Sequence, residues 1–153
     1  MPEADQVFSG LYIHRLDAKG RVSVPPAFRN AGDGKFYVTF SPEGALRVYD
    51  EGNFEKMRAR LDAMDDFDPR VREVKRVFYS GPPPQECDAY GRIKLSPELR
   101  TYAHLEHEVV LNGMSTYFEL WDKAHWDERY SSALEGFDAS MQQLSSGRRS
   151  QAD

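Results

Sequence analysis

The sequence predicts an α/β protein of the α+β kind, built from two copies of one small unit. Three observations predict it. The stretch LDAKGRVSVPPAFR, residues 16–29, returns as CDAYGRIKLSPELR, residues 87–100, with six of fourteen positions identical, the mark of an internal duplication. Within the copies, Val22 and Val24, or Ile93 and Leu95, alternate with polar neighbours at the two-residue period of a half-buried strand. Between and after them, apolar residues recur at spacings of three and four, the period of a helix with one apolar face.

Each unit reads as strand, tight turn, strand, short helix, two strands and a longer helix. In the first, VSVPPAFR leads to strands KFYVTF and ALRVYD and a helix beginning EGNFEKM; in the second, IKLSPELR leads to EVVLNG, YFELWD and KAHWDERY. Asp17 and Asp88 are 71 residues apart and Asp50 and Asp122 are 72, so one inserted residue accounts for the drift. Ser96 with Pro97 has the order of a helix start: a hydroxyl caps the open N–H groups, and the proline's missing N–H costs nothing in the first turn. Asp50 and Asp122 follow aromatic strand ends, Tyr49 and Trp121, as caps of the longer helices. Those helices carry the stripes Phe54, Met57, Leu61, Met64 and Trp126, Tyr130, Leu134, Phe137, Met141, which read as core. Between the halves, Asp68 and Pro69 open a further helix with Val71, Val74 and Phe78 on one side, ended by SGPPP at residues 80–84. From Ser145 the chain is small and polar, and residues 145–153 are expected to be a disordered tail.

A chain of 153 residues with 40% hydrophobic and 12% aromatic content has enough apolar material for one core. No basic start followed by an apolar run, and no run of about eighteen apolar residues, suggests a signal peptide or a membrane span, so a cytoplasmic location is expected. The single cysteine, Cys87, excludes an intrachain disulfide or a thiolate cage, and its alignment with Leu16 makes it an apolar strand residue.

The formal charge of −5 speaks against a polyanionic partner, but its distribution is uneven. Residues 14–30 hold four cations, Arg15, Lys19, Arg21 and Arg29, against Asp17; residues 70–76 hold four against Glu73. Residues 50–68 hold seven acidic and three basic side chains, and residues 101–128 six and one. This pattern suits a polarised surface with basic patches and equally suits ordinary solvated helix charge.

Catalytic and metal motifs do not assemble. GDGK, residues 32–35, lacks the earlier glycine and the following hydroxyl of a phosphate-cradling loop and reads as a turn. His104 and His107 are three apart, not the four that a zinc-binding helix face needs, and no third ligand is evident. No catalytic residue, metal site or cofactor is expected.

The repeated turn has a stronger physical case. An aspartate opening a tight turn accepts from backbone N–H groups two or more residues on, and a glycine supplies the left-handed conformation that closes it. Asp17, Gly20, Asp88 and Gly91 are therefore expected to be structural. Two placements are open to Arg21 and Arg92: folding back onto the aspartate, or projecting to a phosphate or a base edge. At the exposed tips the copies diverge, Lys19 facing Tyr90 in the alignment and Arg15 facing Glu86.

The stretch HRLDAKGRVSVPPAFR, its copy CDAYGRIKLSPELR, and the endings RVYDEGNFEKM and YFELWDKAHW resemble the MraZ family of bacterial transcriptional regulators, across nearly the whole chain and in family order. The resemblance implies a duplicated AbrB-like, swapped-hairpin β-barrel fold with flanking helices. Its parts are a first AbrB-like domain at 11–53, a helical linker at 54–81, a second AbrB-like domain at 82–125, a C-terminal helix at 126–144 and the tail. It further implies assembly into a homo-oligomeric ring, a nucleoid-associated location, and binding to direct repeats in promoter DNA upstream of the division and cell-wall gene cluster, its own gene included. Ser96 replaces a proline common in the family, and the hinge SGPPPQE is unusually proline-rich. The expected reading is a sequence-specific binder of double-stranded DNA, without catalysis, that contacts DNA through Arg15, Lys19 and Arg21, with Arg92 secondary. The rival is an AbrB-like ring that recruits proteins through its acidic faces.

Overall fold

In the computed structural model residues 7–152 are described, with side chains to Gly147. The chain forms two compact units, the first ending at Asp122 and the second beginning at Lys123. The first unit holds strands β1 (Leu11–Arg15), β2 (Arg21–Ser23), β3 (Phe36–Phe40), β4 (Leu46–Asp50), β5 (Arg92–Lys94), β6 (Glu108–Gly113) and β7 (Phe118–Asp122). Its helices are α1 (Pro26–Ala31), α2 (Glu51–Asp62), α3 (Pro69–Phe78) and α4 (Pro97–Ala103); the second unit is α5 (Lys123–Glu135) and α6 (Phe137–Ala152).

Two antiparallel sheets result, one in the order β1-β6-β7-β4-β3 and one of β2 and β5 alone. Most of the pairing crosses the duplication. Val22 of β2 stands opposite Ile93 of β5, Ile13 of β1 opposite Val110 of β6, and Leu46 of β4 opposite Leu120 of β7. Just beyond β2 and β5, Val24 N donates to Gly91 O at 2.9 Å and Leu95 N to Gly20 O at 2.8 Å. Each repeat thus completes the other's turn, the swapped arrangement that the family resemblance implies.

The second repeat departs from the expected pattern at its leading strand, which shrinks to one bridge between Gln85 and Phe36. Pro82, Pro83 and Pro84 precede it, and prolines have no N–H to give a ladder. Gln85 compensates with its side chain: Nε2 donates to Lys94 O at 2.9 Å and Oε1 accepts from Lys94 N at 2.8 Å, tying the small sheet to the large one.

Between the sheets lies one core to which both repeats contribute, with Val22, Phe28, Phe36, Val48, Ile93, Leu99, Leu111 and Phe118 all buried. Phe118 is its centre, stacked on Phe28 at 4.7 Å and edge-on to Phe8 and Phe36 at 5.3 and 6.1 Å. Leu16 and Cys87 pack on this core at matching positions, and burial pushes the Cys87 thiol above its ordinary pKa. On the other face of β3 and β4, Tyr37 stacks on Phe54 and Phe54 on Phe78, seating α2 and α3.

Three of the expected helix starts carry their caps. Asp50 accepts from Asn53 N at 3.2 Å, Asp68 from Arg70 N at 2.9 Å and Ser96 from Leu99 N at 3.4 Å, bonds of the kind that stabilise a helix start by about 1 kcal/mol. Two readings change. The stripe Tyr130, Leu134, Phe137, Met141 is exposed, each residue by 46% or more, with only Trp126 of that series buried, and Met64 of the α2 series is exposed by 48%. An amphipathic helix states which face is apolar, not whether its own chain covers it. The helix also continues to Ala152, through residues expected to be a disordered tail, because α6 carries no proline to stop it; Asp153 lies outside the described residues. No helix among the described residues is long and apolar enough to cross a membrane.

Candidate nucleic-acid interface

The two turns are superimposable in their bonding. Asp17 Oδ1 accepts from Lys19 N at 2.9 Å and Arg21 N at 2.8 Å, and Oδ2 from Arg21 Nε at 2.7 Å. Asp88 repeats the pattern with Tyr90 N at 2.9 Å, Arg92 N at 3.0 Å and Arg92 Nε at 3.0 Å. Gly20 and Gly91 close the turns at φ +77° and +78°, donating to the carbonyls of Asp17 and Asp88. Donation from the Arg21 and Arg92 N–H groups holds the Asp17 and Asp88 carboxyls below their ordinary pKa, so both stay ionised.

Of the two placements open to Arg21 and Arg92, the structure takes the first: both fold back onto their aspartates. Arg92 Nη1 also lies 3.5 Å from Asp17 Oδ2, so a single carboxylate touches cations from both repeats and brings the turns together. Their charge is thereby partly offset. Arg15 and Lys19 differ: both are exposed, and neither makes an ion pair among the described residues. At the second tip Tyr90 is 79% exposed, with the Arg92 guanidinium 5.0 Å from its ring centre. The joined turns present a basic corner beside an aromatic one.

Two residues that sequence reasoning passed over stand behind this surface. Arg100, on α4 of the second repeat, lies against Gly20 of the first: a Cβ on Gly20 would sit 2.9 Å from its Nε. Arg29, on α1 of the first repeat, lies against Gly91 of the second, where a Cβ would be 2.8 Å from Cζ and would overlap Nη1. Arg100 Nε donates to Leu95 O at 3.1 Å, whereas the buried Arg29 Nε has no hydrogen-bond partner among the described residues. The available signal was the arginine that ends both copies of the repeat; the alignment carries no hint that it reaches the opposite turn.

The arrangement sets out two exposed cations, Arg15 at the end of β1 and Lys19 at the turn tip, and among the described residues no group of three or more His, Cys, Asp or Glu could hold a metal ion. Comparison with known proteins gives the family. The family model for MraZ protein, described as antitoxin-like, matches twice, over residues 7–77 and 78–145. A protein of Dechloromonas aromatica called transcriptional regulator MraZ is 34% identical over 139 residues, covering 88% of this chain and 94% of its own. Proteins of the same name from a Mycobacterium species and from Acetivibrio thermocellus are 38% and 39% identical, covering 87% and 82% of this chain and 93% and 87% of their own. With both repeats matched in order and the two turns built alike, the chain belongs to the MraZ family.

Proposed function

We propose that this chain regulates transcription by binding double-stranded promoter DNA in a sequence-specific way, with no catalysis of its own. The observation that carries the reading is the paired turn with the end of β1 beside it, where Arg15 and Lys19 are exposed and, among the described residues, without ion pairs on a scaffold that both repeats build. A guanidinium suits bidentate contact with guanine O6 and N7 in the major groove, and a lysine suits a phosphate. Arg21 and Arg92 shape the turns and add partly offset charge. The sites are direct repeats upstream of the division and cell-wall genes, the chain's own included, and the protein works in the cytoplasm on the nucleoid.

Several copies act together as a closed ring. The exposed stripe on α5 and α6, and an apolar groove of about 550 Å³ lined by Phe40, Met57, Val74, Val77, Phe78 and Tyr102, support protein contacts of this kind. A ring repeats the basic corner, so weak contacts to successive DNA repeats add through effective concentration despite the net negative charge. A gel shift on the DNA upstream of the chain's own gene tests the reading. Arg15→Ala is expected to abolish the specific shift while the oligomer stays intact by light scattering. Unchanged affinity in that variant refutes the assignment, and binding with no preference for that DNA favours the protein-recruiting ring.

A further inference from the structure

We propose that Arg29 and Arg100 are positioning residues that act across the duplication, Arg100 of the second repeat holding the basic first turn and Arg29 of the first repeat holding the aromatic second turn. A left-handed conformation and two contacts come together at each glycine. Gly20 is in the left-handed region, its carbonyl accepts from Leu95 N, and Arg100, anchored through Nε to Leu95 O, fills the space that a side chain would take. Gly91 has the same conformation, its carbonyl accepts from Val24 N, and Arg29 occupies the corresponding space.

The planar guanidinium suits this place because it can lie flat against a peptide that carries no Cβ. The residue that bonds each glycine, Leu95 or Val24, lies just past its strand, and the arginine's helix begins two residues later at Pro97 or Pro26, so strand end and arginine belong to one short segment. The opposed turns are therefore coupled. The first turn presents Lys19, yet what fixes it from behind belongs to α4, about eighty residues along the chain.

The expected consequence is a crossed pattern. Native-state hydrogen exchange on the full chain reads the amides of Lys19 and Arg21, bonded to Asp17, and of Tyr90 and Arg92, bonded to Asp88. Arg100→Met is expected to speed the first pair about tenfold and leave the second near its original rate; Arg29→Met does the reverse. Arg100→Lys and Arg29→Lys keep charge and stem and should show the same crossed pattern at smaller amplitude, which serves if a methionine variant fails to fold. Loosening of the turn in the variant's own repeat, no change at either turn, or uniform acceleration that includes Val109 and Val110 of β6 would each overturn the proposal.

The link to recognition rests on the DNA reading above, and a second measurement separates the two. Arg100→Met is expected to weaken promoter binding with the salt slope unchanged, whereas a direct phosphate contact would lower that slope by about one. A lowered slope overturns the positioning role. If the unaltered chain shows no promoter binding, the DNA reading fails, and the exchange pattern alone decides the coupling.

Discussion

Lys19→Ala separates charge from architecture at the proposed interface. The Lys19 side chain is exposed and makes no ion pair among the described residues, while its backbone N–H, which any residue supplies, makes the bond to Asp17. The turn should therefore survive the substitution. At the proposed interface two exposed cations, Arg15 and Lys19, make no ion pair among the described residues, while Arg21 and Arg92 are offset by Asp17 and Asp88. At about 0.9 of log-log salt slope per phosphate neutralised, one engaged protomer contributes about −1.8, and Lys19→Ala brings this to about −0.9. Between about 50 and 200 mM salt the affinity of one engaged protomer should then fall about twelvefold for the unaltered chain and about 3.5-fold for the variant. Fluorescence anisotropy on labelled promoter DNA across that range measures both slopes, with circular dichroism to check the fold. An equal slope for a folded Lys19→Ala variant would refute the claim that this side chain meets a phosphate. Arg21→Ala should behave differently, losing the Nε bond to Asp17 and so combining weaker binding with faster exchange at Lys19.

Three further outcomes test the architecture. Phe118→Ala removes the ring that joins Phe8, Phe28 and Phe36 and should cost about 3–5 kcal/mol, lowering the melting temperature by roughly 6–20 °C in calorimetry; a loss under about 1 kcal/mol would show that the core closes around the gap. The Asp17 and Asp88 carboxyls are held below their ordinary pKa, so their stabilisation is complete above the usual carboxylate range and is lost as pH falls through the folded values. The urea midpoint should accordingly drop below about pH 4, less steeply in Asp17→Asn, and an identical pH dependence in that variant would contradict the assignment. Finally, residues 11–81 and 82–144 produced as separate chains should each lack native circular dichroism and regain it on mixing, because β1, β2 and β4 find partners in the other half. A folded monomeric half would refute the swap.

Local chemistry is legible in the sequence. Short-range bonding decides the geometry of the turn-builders Asp17 and Gly20, with Asp88 and Gly91, and of the caps Asp50, Asp68 and Ser96, so the sequence shows them directly. Cys87 was placed in the core through its alignment with Leu16, and the apolar faces of α2 and α5 through their periodicity. Less legible was anything that depends on which surface meets which. Periodicity did not reveal that Tyr130, Leu134, Phe137 and Met141 stay exposed, and composition did not reveal that α6 continues past Ser145.

The sequence by itself determined that the chain is a duplication, which residues form each turn, and that the first copy is the basic one. Only the tertiary structure decided that Arg21 and Arg92 fold back while Arg15 and Lys19 stand exposed, and that Arg29 and Arg100 lie against the glycines of the opposite turns. The physical reason is range. A turn and its arginine are settled by bonds between residues at most four apart, whereas the approach of Arg92 to Asp17, and of Arg29 and Arg100 to the bare glycines, depends on where the fold brings the opposite repeat.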